Sequence, residues 1–190
     1  MNKVNNYVSP SVFIYIFSLF TGCTMTSDFE NGSSPIVINE FMTRNTPENS
    51  QKIVDEYGEY DDWIELYNPG DDQVLLKGLY LSDKSASLRK FAFFDTVLPS
   101  RGYICIWTDG QPGQGKYHAD FKLSATNGDQ ILLSNGNGHI VDQIQFFAES
   151  GNPEARLPNV SYGRSSDGNS TWCSQKKATP LSVNEGCFSQ

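Results

Sequence analysis

From Ile36 onward the chain repeats one rhythm, a short apolar-rich run followed by Gly, Asn, Asp or Pro. The runs are Ile36–Met42, Asp62–Asn68, Val74–Leu76, Leu79–Ser82, Leu88–Phe94, Tyr103–Thr108, Tyr117–Leu123, Gln130–Ser134 and Ile140–Phe146, with Ser161–Arg164 as a last short one. In Asp62–Asn68 the alternation is clean: Ile64 and Leu66 fall on one face, Glu65 and Tyr67 on the other. Pro69-Gly70-Asp71-Asp72 supplies a turn. Asn135-Gly136-Asn137-Gly138 is a strong hairpin signal, since Asn-Gly accepts positive φ. Beyond the N-terminal segment no window shows helical periodicity. Short strands at near-regular spacing with turn signals between them predict an all-β sandwich or barrel of about seven to nine strands. Phe 12, Tyr 9 and Trp 3 agree, because aromatic rings favour strands and supply core.

The first residues follow a different logic. Lys3 precedes the apolar run Ser11–Phe20, which ends in Thr21-Gly22-Cys23. About ten apolar residues fit a secretory h-region, whereas a membrane-spanning helix needs about twenty. The end of the run resembles a bacterial lipobox, with Phe20 where that pattern usually has Leu and Cys23 as the residue to be lipidated. Thr24 in place of Asp after the cysteine leans toward the outer membrane of a two-membrane bacterium. Residues 1–22 are thus expected to be a lipoprotein signal peptide and 23–35, polar and Gly/Ser-rich, a flexible tether. The expected location is a bacterial cell envelope, at the outer membrane or cell surface, held by the N-terminal lipid.

The formal net charge is −8, and loss of Lys3 with the leader makes it one unit more negative. Phosphate neutralisation needs a basic face, and Arg156, Arg164, Lys176 and Lys177 are too few to make one, so no nucleic-acid partner is expected. Of the four cysteines, Cys105 lies inside the apolar run Tyr103–Trp107, where a free thiol behaves as a small hydrophobe. Cys173 and Cys187 would close a loop of about 14 residues in an oxidising compartment, although three cysteines permit other pairings. No CxxC or Cys/His spacing points to zinc.

Taken in order, several of these pieces resemble the lamin-tail domain family. They are Ile38-Asn39-Glu40, Asp62-Trp63-Ile64-Glu65-Leu66-Tyr67-Asn68-Pro69 and Leu76-Lys77-Gly78-Leu79-Tyr80-Leu81-Ser82-Asp83. Leu98–Tyr103, His118–Ser124, Gly128-Asp129 with Leu132-Leu133, and Ser161–Arg164 with Asp167-Gly168 and Trp172 continue the series. The resemblance covers 36–179, leaving 180–190 as a C-terminal tail. It implies an immunoglobulin-like β-sandwich of the kind found in nuclear lamin tails and in many bacterial secreted proteins. Asn39, Glu40, Asp62, Trp63, Glu65, Asn68, Gly78 and Asp83 are then structural residues of the family motif, not catalytic ones. Fold resemblance transfers no activity by itself.

Glu40, Asp62 and Glu65 make a group of carboxylates near or within strands, and Asp62 and Glu65 together with His118 carry a rival reading, a small metal-dependent hydrolase. General acid/base work needs carboxylates held across a cleft, and only the Asp62/Glu65 spacing is visible. His118 and Asp120 project from one face of a strand and invite a metal or triad reading, yet no nucleophile elbow accompanies them, the one other histidine, His139, sits in a hairpin turn, and no metal is assigned to His118. Asn127-Gly128-Asp129, Asn135–Gly138 and Asp167-Gly168-Asn169 offer oxygen atoms suited to calcium without EF-hand spacing; turn chemistry explains the same residues. Tyr60, Tyr80 and Tyr117 suggest a sugar or peptide platform, or simply core. The reading is therefore a non-enzymatic module with no cofactor and no assigned metal, calcium left open, that binds a protein or glycan.

Overall fold

The computed structural model describes residues 34–146 and 157–188. The leader, Cys23, nearly all of the tether, and Arg156 lie outside the described residues. Eleven strands and no helix occur among them. They are β1 (Val37–Met42), β2 (Trp63–Tyr67), β3 (Val74–Leu75), β4 (Leu79–Ser82), β5 (Phe91–Ala92), β6 (Val97–Leu98), β7 (Tyr103–Trp107), β8 (Asp129–Asn135), β9 (Ile140–Phe146), β10 (Tyr162–Arg164) and β11 (Trp172–Ser174). A five-stranded sheet runs β11-β10-β1-β2-β7 and a four-stranded sheet β5-β4-β8-β9, with β3 and β6 as a small separate ribbon. All these strand pairs are antiparallel.

The core lies between the two larger sheets. Ile38, Phe41, Ile64, Leu66, Ile104, Ile106 and Tyr162 meet Leu79, Leu81, Phe91, Ile131, Leu133 and Phe146 in one buried cluster. Phe41 packs in a tilted pair 4.7 Å from Phe146 and edges onto Tyr162 at 5.9 Å, joining the sheets through aromatic contacts. A register shift between Ile38 and Glu40 places Asn39 as an extra residue in β1. The bulge lets Ile38 and Phe41, three positions apart, share the inner face while Glu40 turns outward. The Leu76–Leu79 turn carries Gly78 at φ +93°, a conformation that costs a side chain about 1 kcal/mol or more. The hairpin expected at Asn135–Gly138 connects β8 to β9 with exposed His139 at its end.

Two runs read as strands pair less than expected. In Leu88–Phe94 only Phe91 and Ala92 join a ladder. Tyr117–Leu123 alternates in burial, with Ala119, Phe121 and Leu123 in the core, but makes only isolated bridges: His118 to Trp107 and Lys122 to Asp109. The segment wraps the end of β7. Alternation reported which side is buried, not whether a neighbouring strand exists.

The outer face of the five-stranded sheet is not in water. All five residues of β2 are buried, Glu65 and Tyr67 included. Residues 178–184, most of which the sequence reading set aside as a tail, cover that face. Leu181 N–H donates to Glu65 Oε2 at 2.5 Å and Thr179 Oγ1 to Glu40 Oε2 at 2.8 Å. Met42, Trp63 and Ala178 form a second small core on the same side. Cys173 and Cys187 are disulfide-bonded, with Cα atoms 5.5 Å apart, and lock the returning segment to β11.

Candidate functional site

Polar side chains gather in two places. The first is the buried layer between the outer face of the five-stranded sheet and the returning C-terminal segment. Register sets Glu40 on β1 opposite Glu65 on β2, and both are fully buried. The bulged Asn39 donates to Glu65 Oε1 and Asp167 Oδ1, each at 3.0 Å, and its own carbonyl oxygen of the side chain accepts from Gly168 N–H at 3.1 Å. Tyr103 O–H donates to Asp167 Oδ2 at 2.5 Å. Burial pushes Glu65 up to about 8, opposed by the bonds from Asn39 and Leu181 and reinforced by the charge of Glu40. Burial raises Glu40 too, offset chiefly by hydroxyl and N–H donors such as Thr179. The Cys105 thiol, facing Glu65 across the ladder, is raised well above its ordinary range by the same desolvation. These carboxyls are sealed from any substrate. They hold the chain terminus onto the sheet.

The other motif residues act in the same structural way. Asn68 Nδ2 donates to the carbonyls of Asp72 and Pro99 while Oδ1 accepts from Gly70 N–H, closing the loops at that end of the sandwich. Asp83 pairs with Lys90 at 2.6 Å. Trp63 is fully buried. Asp62 stands just before β2, its carboxyl pushed up to about 7 by burial, with an Asn45 N–H opposing. Arg164, counted in the sequence among the charges too few to make a basic face, is buried and bridges the sheets. Its Nε donates to Ile38 O at 2.7 Å, and its NH2 group meets Asp142 Oδ2 of β9 at 2.8 Å.

The second cluster lies where the 55–61 loop meets the 109–118 loop, beside the end of β7. His118 does not pair with Asp120, which is exposed; its Nδ1 lies 2.5 Å from Asp109 Oδ2 and its Nε2 3.3 Å from Glu56 Oε1. Burial alone would lower His118, but the hydrogen bonds with Asp109 and Glu56 prevail and raise it. Asp55, Asp109 and His118 are all buried, and each offers a ligand-type atom within 4.8 Å of the others. Asp55, Glu59 and Asp61 form a second such group sharing Asp55. Asp61 is raised by burial and then by the charges of Asp109, Asp55 and Glu59. Asp62 and Glu65 belong to neither group. Glu65 is held by Asn39 and Leu181 and His118 by Asp109 and Glu56, so the three residues of the hydrolase reading share no partner. The sequence signal for this cluster was there: five acids fall in the eight positions Asp55–Asp62, where the polar residues after β1 give way to the run Asp62–Asn68. What no spacing shows is that Asp109 and His118 fold over them.

The oxygen-rich loops are occupied by their own turns. Asp129 Oδ2 accepts from Ser124 N–H, Asn135 Oδ1 from Asn137 and His139 N–H, and Asn169 Oδ1 from Thr171 N–H. Tyr60, Tyr80 and Tyr117 are half-buried; Tyr80 lies under Arg89 and Tyr117 against Phe94. They make no common platform.

This arrangement of two antiparallel sheets, with the Asn39-Glu40, Trp63–Asn68 and Gly78–Asp83 motifs all at structural positions, agrees with a family model described as the Lamin Tail Domain, which matches residues 30–148. The chain belongs to the lamin tail domain family. Its fold is therefore the immunoglobulin-like sandwich of a non-catalytic family. β10 and β11 lie beyond the matched residues yet complete the five-stranded sheet of this lamin-tail domain. No curated protein and no solved structure matches the chain.

Proposed function

We propose that this protein is an extracytoplasmic lipoprotein, anchored to a bacterial envelope membrane through lipidated Cys23, whose lamin-tail domain is a non-catalytic module for binding a protein or glycan. The leader, the lipobox-like Thr21-Gly22-Cys23 and the polar tether support the anchoring. The observation that carries the binding role is β9. This seven-residue strand ends the four-stranded sheet, and among the described residues no strand pairs with its outer edge. Its Ile140, Gln143 and Gln145 are exposed. An open edge of this length offers main-chain donors and acceptors to an extended segment of a partner, which is how sheets capture peptides.

The test uses the full chain expressed in a bacterial host. A palmitate analogue labels the wild type and not Cys23→Ala, and the variant leaves the membrane fraction; label or membrane retention in the variant refutes the anchor. For binding, a photo-crosslinker at Gln143 is compared with one at exposed Lys84. Peptide or sugar adducts confined to Gln143 support the edge. Equal adducts at both positions, or none, refute it.

A further inference from the structure

The cluster beside the end of β7 has the chemistry of a cation site, and it is independent of the binding role proposed above. Asp55, Asp109 and His118 are 7%, 1% and 2% exposed, and their donor atoms lie within 4.8 Å of one another, the separation found among ligands of a single ion. Each buried carboxylate has one oxygen held by local backbone. Asp55 Oδ1 accepts from Tyr57 and Glu59 N–H at 2.9 and 2.8 Å, and Asp109 Oδ1 from Gln111 N–H at 2.8 Å. These bonds fix the carboxylates as outer partners fix metal ligands.

The second observation concerns atoms with nothing to bond. Eight buried side-chain nitrogen and oxygen atoms among the described residues lack a hydrogen-bond partner; Asp55 Oδ2, Asp61 Oδ2 and Gln114 Oε1 are three of them and share this one corner, while His118 Nε2 there faces Glu56 Oε1 at 3.3 Å. Gln114 is in place because its Nε2 donates to Glu59 Oε2 at 2.7 Å. All three are oxygens that can only accept from neighbours or coordinate a cation. Leaving a buried acceptor unsatisfied costs about 1–3 kcal/mol each, and an unpaired buried carboxylate costs more. A protonated His118 balances one charge, already shared between Asp109 and Glu56, and brings no donor to Asp55 Oδ2 or Asp61 Oδ2. Lys122 adds one exposed positive charge at the rim, paired in the backbone with Asp109. A divalent ion among Asp55, Asp109 and His118 would give Asp55 Oδ2 the partner it lacks and offset the negative charge that Asp55, Glu59 and Asp61 gather beside it.

We propose that Asp55, Asp109 and His118, closed on the solvent side by Glu59 and Asp61, bind one divalent cation. The imidazole beside carboxylates selects an ion of borderline character, Zn2+ or Mn2+, over Ca2+, which takes an all-oxygen shell. The site differs from the loops where the sequence left calcium open, and it departs from the reading that assigned no metal.

The test is titration of the full chain in mild detergent, first stripped with EDTA, with ZnCl2, MnCl2 or CaCl2, read by calorimetry and by thermal melting. Wild type takes up one equivalent of Zn2+ or Mn2+ and melts higher. Asp55→Asn keeps the Oδ1 acceptor for Tyr57 and Glu59 and binds about ten- to a hundredfold more weakly, as does His118→Gln, while His139→Ala binds like wild type. Stripped of metal, Asp55→Asn melts at or above wild type, because one of several crowded charges is gone; this separates lost coordination from lost folding. Wild-type affinity in both Asp55→Asn and His118→Gln overturns the proposal. So does a melting temperature unmoved by either ion, or a response to Ca2+ alone.

Discussion

Replacing Arg164 by Met removes a guanidinium that ties the two sheets together inside the molecule. Its Nε bonds Ile38 O of β1, NH1 bonds Asn169 O at 2.6 Å, and NH2 reaches Asp142 Oδ2 of β9. The group lies 5.0 Å over Trp172, and the side chains of Arg164 and Asp142 are 9% and 18% exposed. Met fills similar volume, so the loss is polar. Breaking a buried pair by removing one partner costs about 3–5 kcal/mol. Asp142 is slightly exposed and keeps the Ile38 N–H at 2.8 Å, which pulls that figure to the lower end. The buried Ile38 carbonyl left without this donor adds about 1 kcal/mol, the exposed Asn169 carbonyl little because water replaces the guanidinium, and the lost contact with Trp172 somewhat less than about 1 kcal/mol. Since these groups are neighbours and not additive, the expected total is about 4 kcal/mol, or a melting temperature lower by about 8–16 °C for a domain of this size. Urea unfolding of Arg164→Met, Asp142→Asn and the double variant measures it. Asp142→Asn in the Arg164→Met background should recover at least about 1 kcal/mol, by removing an uncompensated charge. A loss below about 1 kcal/mol in Arg164→Met, or strict additivity in the cycle, refutes the clamp.

Two further outcomes follow from the buried layer. Glu65 is held near 8 in the folded state and ionises near 4.5 when unfolded, so the folded state binds the extra proton between those values. Stability therefore falls as pH rises from about 5 to about 8, by a few kcal/mol at most, and Glu65→Gln flattens the decline; a urea midpoint that is constant or rising across this range contradicts the assignment. Opening the Cys173–Cys187 bridge releases a 14-residue loop and costs about 3 kcal/mol. Hydrogen exchange after reduction should accelerate first at the Thr179, Leu181 and Asn184 amides, which donate to Glu40, Glu65 and Asp167, while β4 and β8 stay protected. Uniform acceleration would show that the segment does not open by itself.

The β character of this chain needed no tertiary information. Runs such as Trp63–Tyr67 and Ile140–Phe146 carry their strand propensity locally, and Gly78 and Asn135–Gly138 carry the turns between them, so period and punctuation sufficed. Gly78 answers a local backbone demand, whereas Asn39 bonds Glu65, Asp167 and Gly168, and Asn68 the carbonyl of Pro99, partners that only the fold brings to them. What failed in the sequence failed for a common reason. Glu65 alternates like a solvent-facing residue, and only the return of 178–184 across 116 residues of chain, to Leu181, puts it in the dark. Arg164 looks like any surface cation until β9 brings Asp142 to it. His118 points to Asp120 by spacing, yet the wrap around β7 gives it Asp109 and sets both over Asp55. A side chain's environment depends on segments distant in the chain, and hydrophobic period is blind to them. The sequence by itself determined the strands, the turns and the family. The tertiary structure decided which charges are buried, which carboxylates meet, and where an ion could be held, because desolvation and charge pairing exist only once remote segments pack.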